Sequence, residues 1–102
     1  MSPESLRYAV EKYSEAVCAL AVGQSHVRHR LRTIVATLLL IGETTVPDDL
    51  AVRTDIRWIQ SQLTRFGDAA STLRRIRGKT GVKIAERVVA VYHKLEVLAS
   101  RS

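Results

Sequence analysis

Two short segments of this 102-residue sequence concentrate cationic side chains that could contact an anionic ligand. They are residues 26–32, within a stretch of helical periodicity, and residues 74–83, which straddle the break between two predicted helices. A guanidinium group can donate two parallel hydrogen bonds to a phosphate or carboxylate, so arginine suits such contacts. The alternative is that both segments are solvated faces of helices. The side chains predicted to contact nucleic acid are Arg28, Arg30, Arg32, Arg74, Arg75, Arg77, Lys79 and Lys83.

The overall charge agrees with an anionic partner. Sixteen Lys and Arg side chains oppose ten Asp and Glu side chains, for a formal net charge of +6. A basic balance favours nucleic acid, an anionic membrane or an acidic protein surface as a partner. We expect RNA or DNA, held through its phosphates and without reading of base sequence. The competing hypothesis is a protein-interaction module, such as a phage- or defence-related inhibitor or adaptor that docks on an acidic protein.

The arrangement of the cations would separate these two hypotheses. One continuous basic stripe would favour nucleic acid, whereas separate patches on either side of Trp58 would favour a protein partner. Trp58 lies off the apolar series of its helix, among polar and basic residues, and a large aromatic side chain in that setting often marks an interface. Trp58, Arg57 and Arg65 are therefore predicted to contact a partner. Alternatively, the indole covers the third helix or a second copy of the chain.

Residue patterns for catalytic chemistry are weak. His26 and His29 have a spacing that can share a metal, but arginines flank them and no carboxylate accompanies them on that face. The string Gly78-Lys79-Thr80 matches part of a phosphate-binding loop but lacks the upstream glycine and the preceding strand. The sequence therefore predicts a non-enzymatic protein with no catalytic residue, no metal site and no cofactor.

One alternative to binding without catalysis stays open. Arg87 and His93 lie on the third predicted helix with five residues between them. This pair resembles the short Arg–His motif of HEPN ribonucleases, which are also helical bundles. The resemblance covers these two residues, and Val88 stands where a polar residue often follows the arginine. It implies a ribonuclease in which Arg87 and His93 act on RNA.

Apolar residues recur at steps of three and four, which is the spacing of one helical face read in heptads. The pattern predicts one domain of three helices, at about residues 3–42, 47–77 and 81–100. At ~1.5 Å per residue, the first helix would span roughly 60 Å. The first series is Leu6, Val10, Tyr13, Val17, Leu20, Gln24, Val27, Leu31, Ile34, Leu38 and Ile41. The second is Val52, Ile56, Ile59, Leu63, Phe66, Ala70 and Leu73, and the third is Ile84, Val88, Val91, Leu95 and Leu98.

Short links between these helices imply antiparallel neighbours. The expected fold is all-α: a long antiparallel helical hairpin with coiled-coil-like seams and a third helix packed back onto it. If Gly23 bends the first helix, the same sequence makes a four-helix bundle. Gly67 is expected inside the second helix, because the apolar series keeps its phase on both sides of it. Gly78 is expected to end that helix, with Thr45 and Thr80 capping the second and third helices.

The end of the first helix is apolar on nearly every side, a property of helices that other helices surround. Three helices would leave part of this stretch uncovered, so the chain is predicted to form a homodimer or larger assembly. Gln24, at a seam position, could fix register or oligomeric state. The predicted interface residues are Ile34, Val35, Leu38, Leu39 and Ile41.

The remaining features favour a cytoplasmic protein. Cys18 is the only cysteine, which suits a reducing compartment, and its place beside Val17 predicts a small core residue. The N-terminus lacks the basic and apolar regions of a signal peptide. The longest apolar run, residues 34–41, is far shorter than the ~20 residues needed to cross a bilayer.

Overall fold

The computed structural model describes residues 3–22, 27–42, 49–76 and 78–101. Within these ranges the chain forms α-helices and no strands, and the helices pack on one another as an all-α bundle, as the sequence predicts. The helices are α1 (Pro3–Val22), α2 (Val27–Leu40), α3 (Leu50–Leu63), α4 (Ala69–Arg75) and α5 (Gly78–Arg101).

The predicted single helix over residues 3–42 is wrong, because α1 and α2 are separate helices that pack against each other. The longest dimension of the molecule is 39 Å, well short of the roughly 60 Å expected for one straight helix. Tyr13 of α1 and Leu38 of α2 are both fully buried in the same core. Gly23 and Gln24 lie outside the described residues. The alternative, in which the first helix bends and the chain forms a four-helix bundle, is therefore nearer to the structure, which has five helices within the described ranges.

The second predicted helix, over residues 47–77, is also divided. It ends at Leu63, and Gly67 adopts a φ of +101°, a left-handed conformation that favours glycine. Asp68 then caps α4 by accepting a hydrogen bond from the Ser71 backbone N–H at 2.7 Å. Gly67 is therefore the residue that lets the chain turn, and not an interruption tolerated within a helix. Thr45, the expected cap of this region, lies outside the described residues, and Asp49 caps α3.

The third helix begins earlier than predicted. α5 starts at Gly78, so Thr80 lies in its first turn and does not cap it, and Gly78 does not end the preceding helix. Ile76, in an extended conformation, ends α4 instead. α5 packs against α1, α2 and α3, and its inward face is Gly81, Ile84, Val88, Val91 and Leu95.

Because α2 folds back onto α1, the apolar stretch at residues 34–41 packs within a single chain. Ile34, Leu38 and Ile41 are at most 4% exposed, so a single chain already buries three of the residues assigned to an oligomer interface. Val35 packs partly against the same core, whereas Leu39 is 38% exposed. The burial of these residues no longer requires a second copy, and self-association stays a prediction.

Two further expectations concern single residues and the membrane. Cys18 is exposed on α1, so the prediction of a core cysteine is wrong: the buried positions of this helix are Leu6, Ala9, Tyr13, Ala16 and Leu20. No helix in the described part of the chain combines the length and apolarity needed to span a bilayer.

Tyr13 gives a test of the core. Its hydroxyl is buried and has no hydrogen-bond partner among the described residues. Burial, and secondarily the negative charge of Asp55, raise the pKa of Tyr13 well above its ordinary value. Because an unpaired buried hydroxyl is costly, we expect Tyr13→Phe to raise the free energy of unfolding by about 1 kcal/mol, measured by urea denaturation.

The same variant should change the alkaline limb of the stability curve. A raised folded-state pKa means that Tyr13 ionises first in the unfolded chain, so wild-type stability is intact below about pH 10 and falls above it. Above that pH, the free energy of unfolding of Tyr13→Phe should fall less steeply than that of the wild type. Tyr8→Phe, at an exposed tyrosine, should follow the wild type. A stability loss in Tyr13→Phe would show that the hydroxyl has a partner.

Candidate nucleic-acid interface

The turn between α3 and α4 holds an aromatic side chain at the surface. Phe66 is 41% exposed, and its backbone N–H donates a 3.0 Å hydrogen bond to the hydroxyl of Thr72, which is fully buried. That hydroxyl in turn donates to the Asp68 carbonyl at 2.8 Å. Hydrogen bonds to the Asp68 carboxylate, first that from the Ser71 backbone N–H, hold the pKa of Asp68 below its ordinary value. The turn that presents Phe66 is thus fixed at both ends by hydrogen bonds.

Two guanidinium groups lie beside this ring. The Arg65 and Arg75 guanidinium carbons are 5.6 Å and 5.5 Å from the Phe66 centroid, within the range of cation–π attraction. With Ile76 and Thr80, these residues line a depression of about 280 Å³, here called the Phe66 cleft. Among the described residues that line it, none is acidic. The cleft therefore offers two cations and an apolar ring to an anionic, flat ligand.

Sequence reasoning missed Phe66 because the residue fits the apolar series of the second predicted helix. A signal was available: Gly67-Asp68 directly after Phe66 combines a turn residue with a helix N-cap residue. Reading those two residues as a helix boundary would have placed Phe66 in a turn.

A second cluster lies around Trp58, which is half-buried on α3 and packs partly on the core. The Arg87 guanidinium carbon lies 4.6 Å from the centroid of the indole. Asp55, only 7% exposed, accepts hydrogen bonds from Arg87 Nη1 at 2.9 Å and from Lys94 Nζ at 2.6 Å. The expectation that the indole covers the third helix agrees with this contact between α3 and α5. Trp58 and Arg87, with Lys83, Glu86 and Ala90, line a depression of about 560 Å³, here called the Trp58 cleft.

The first basic segment, residues 26–32, offers fewer accessible arginines to a ligand than the sequence suggests. Arg30 is half-buried, and its Nη1 donates a 2.7 Å hydrogen bond to the carbonyl of Leu20 near the end of α1. This arginine therefore ties α1 to α2, which reduces its availability to a ligand. Arg32 is exposed, and the side chain of Arg28 lies outside the described part of the chain.

The second basic segment is better placed at the surface. Arg74, Arg75, Lys79 and Lys83 are exposed, while Arg77 lies outside the described residues. Arg74 Nη2 lies 3.5 Å from the Ser71 hydroxyl. Of the residues predicted to contact a partner with Trp58, Arg65 joins the Phe66 cleft and Arg57 is exposed on α3.

The Arg–His pair that resembles the HEPN motif is not gathered into one site within this chain. Arg87 is hydrogen-bonded to Asp55 in the Trp58 cleft. His93 lines a different depression and lies 3.8 Å from the Glu96 carboxylate. Each side chain therefore has its own acidic neighbour, on different sides of α5.

The described part of the chain holds no candidate metal centre. Within the described ranges, no group of three or more His, Cys, Asp or Glu side chains is arranged to hold a metal ion. Comparison with protein-family models, curated proteins and solved structures gives no match to this chain.

The hydrogen bonds of Thr72 predict how the turn responds to mutation. Thr72→Val keeps the shape of the side chain but leaves the Phe66 N–H without its acceptor. We expect a loss of about 1–2 kcal/mol in the free energy of unfolding, measured by urea denaturation. Thr64→Val is the matched control, because the Thr64 hydroxyl donates to a carbonyl four residues earlier but is exposed. Equal losses in both variants would contradict a special role for Thr72.

Asp55 predicts a coupled change in stability and fluorescence. In Asp55→Asn, Arg87 and Lys94 lose their carboxylate, but both are partly exposed and can turn to water. The loss should therefore be about 1–2 kcal/mol, below that for a wholly buried pair. Trp58 is the only tryptophan, so release of Arg87 should increase acrylamide quenching of the protein's indole fluorescence. Glu96→Gln, at an exposed acid, should change neither quantity.

Proposed function

We propose that this protein binds nucleic acid without acting on it catalytically, and that the Phe66 cleft is the centre of the binding surface. The observation that carries the proposal is the pair of guanidinium groups beside one exposed phenylalanine, with no acid among the described lining residues. Arginine recognises phosphate oxygens, and an aromatic face stacks on any base. This combination is typical of proteins that hold a nucleic-acid backbone without sequence preference.

The position of the other cations supports the same reading. Thr80 lines the Phe66 cleft, and Lys83, three residues further along α5, lines the Trp58 cleft. Three residues of helix rise by only about 4.5 Å, so the two clefts adjoin along one run of α5. Lys79 is exposed on the same helix turn. Lys79 and Lys83 thus extend the positive charge of the Phe66 cleft along α5, which favours a continuous polyanion over a protein that would dock on separate patches.

The proposal is tested by the salt dependence of binding. Each phosphate neutralised on duplex DNA contributes about −0.9 to the slope of log affinity against log salt concentration. Arg65→Ala combined with Arg75→Ala should therefore flatten the slope by up to roughly two units and weaken binding at low salt. Fluorescence anisotropy with labelled DNA and RNA over a series of salt concentrations measures both effects.

Two controls match these changes elsewhere on the surface. Arg101→Ala removes an exposed arginine from the far end of α5. Tyr8→Ala removes an aromatic side chain that is 41% exposed, as Phe66 is, and that has Lys12 5.7 Å from its ring. Both should bind as the wild type does. Absence of binding to DNA and RNA at low salt would overturn the proposal and favour an acidic protein as the partner.

A further inference from the structure

The two clefts differ in charge although both contain arginine. In the Trp58 cleft, the charge of Arg87 is partly offset by Asp55 at 2.9 Å, a carboxylate that Lys94 shares, and Lys83 shares the lining with Glu86. The Phe66 cleft has two arginines and no acid among its described lining residues. The Phe66 cleft therefore attracts a phosphate more strongly than the Trp58 cleft, where carboxylates accompany the cations.

The Trp58 cleft suits a flat, neutral group better. The Arg87 guanidinium lies over the indole at 4.6 Å, and its hydrogen bond to Asp55 holds it in that position. The Arg87 side chain is still 39% exposed, so part of it is open to a ligand. Bases that are unstacked from their neighbours pack on aromatic rings and on guanidinium planes. Glu86 supplies a carboxylate that can accept a hydrogen bond from an exocyclic amino group of a base.

We infer that the nucleic acid is single-stranded, an inference that rests on the proposed function. The Phe66 cleft holds the phosphates of the strand, and the Trp58 cleft receives one of its bases. The two clefts adjoin along α5, so one strand can reach both. A duplex keeps its bases paired and stacked inside the helix. It can place a base against Arg87 and Trp58 only after that base is unpaired and unstacked, which costs free energy. Single strands should therefore bind more tightly than duplexes of the same length.

The experiment compares three ligands with the full chain: a short single-stranded homopolymer, an abasic strand of equal length and a duplex of equal length. Ribose and deoxyribose forms are run side by side to distinguish RNA from DNA. Because stacking of one base contributes about 1–3 kcal/mol, we expect the homopolymer to bind about five-fold to 150-fold more tightly than the abasic strand. Binding of the homopolymer, and not of the abasic strand, should also change the fluorescence of the only tryptophan.

Variants then assign the two roles. Trp58→Leu should reduce the preference for the homopolymer over the abasic strand and leave the salt slope unchanged, while Trp58→Phe should keep most of the preference. Arg65→Ala with Arg75→Ala should flatten the salt slope for all three ligands and keep the preference. The fluorescence measurement needs no variant, so it tests the inference even if Trp58→Leu does not fold.

The outcomes separate the inference from the proposed function. Equal affinity for the homopolymer and the abasic strand, with no fluorescence change, would overturn the inference and leave phosphate binding intact. Tighter binding of the duplex than of the single strand would overturn it as well. Failure of all three ligands to bind at low salt would overturn the proposed function and the inference together.

Discussion

The structure depends on the burial of one face of α5. Ile84, Val88, Val91 and Leu95 are fully buried, and α5 contacts α1, α2 and α3. α2 and α3 have 14 residues each, a length that is marginal for a helix alone in water, so most of their stability comes from packing an apolar face. α4, with seven residues, is the extreme case: Leu73 and Thr72 are the buried residues that tie it to the bundle. Every surface feature is positioned relative to this shared core.

The same packing determines which cations are available to a ligand. Arg30 donates to the Leu20 carbonyl, and Arg87 and Lys94 both donate to Asp55. The first contact joins the consecutive helices α1 and α2, and the other two join α3 to α5. Arg65 and Arg75 instead lie beside an exposed ring, where the charge of the guanidinium stays accessible. The arginines of this chain therefore fall into two groups: some join helices and stabilise the fold, while others stay accessible at the surface.

Rigidity of the α3–α4 turn matters for the proposed site as much as its charge. The Thr72 hydroxyl accepts from the Phe66 N–H, Gly67 provides the left-handed conformation, and Asp68 caps the following helix. A side chain already held in its binding position loses less conformational entropy when a ligand arrives. The Asp55 carboxylate has a comparable role for Arg87, since it keeps the guanidinium over the indole. Both aromatic groups are thus presented by contacts that also stabilise the fold.

The sequence by itself determined the helical class and much of the core, because heptad spacing records which side of a helix is buried. Ile84, Val88, Val91 and Leu95 were identified in that way, and all four are buried. The phase of the heptads does not show where the chain turns back. Tertiary packing therefore decided that each of the first two predicted helices is divided into two.

The composition of the candidate site was likewise a tertiary result. Phe66 meets Arg75 only because the turn at Gly67 brings α4 back beside the end of α3. Asp55 holds Arg87 and Lys94 across 32 and 39 positions of sequence. Local spacing can place an arginine on a helix, but which acid, carbonyl or ring it meets depends on distances that exist only after the helices pack.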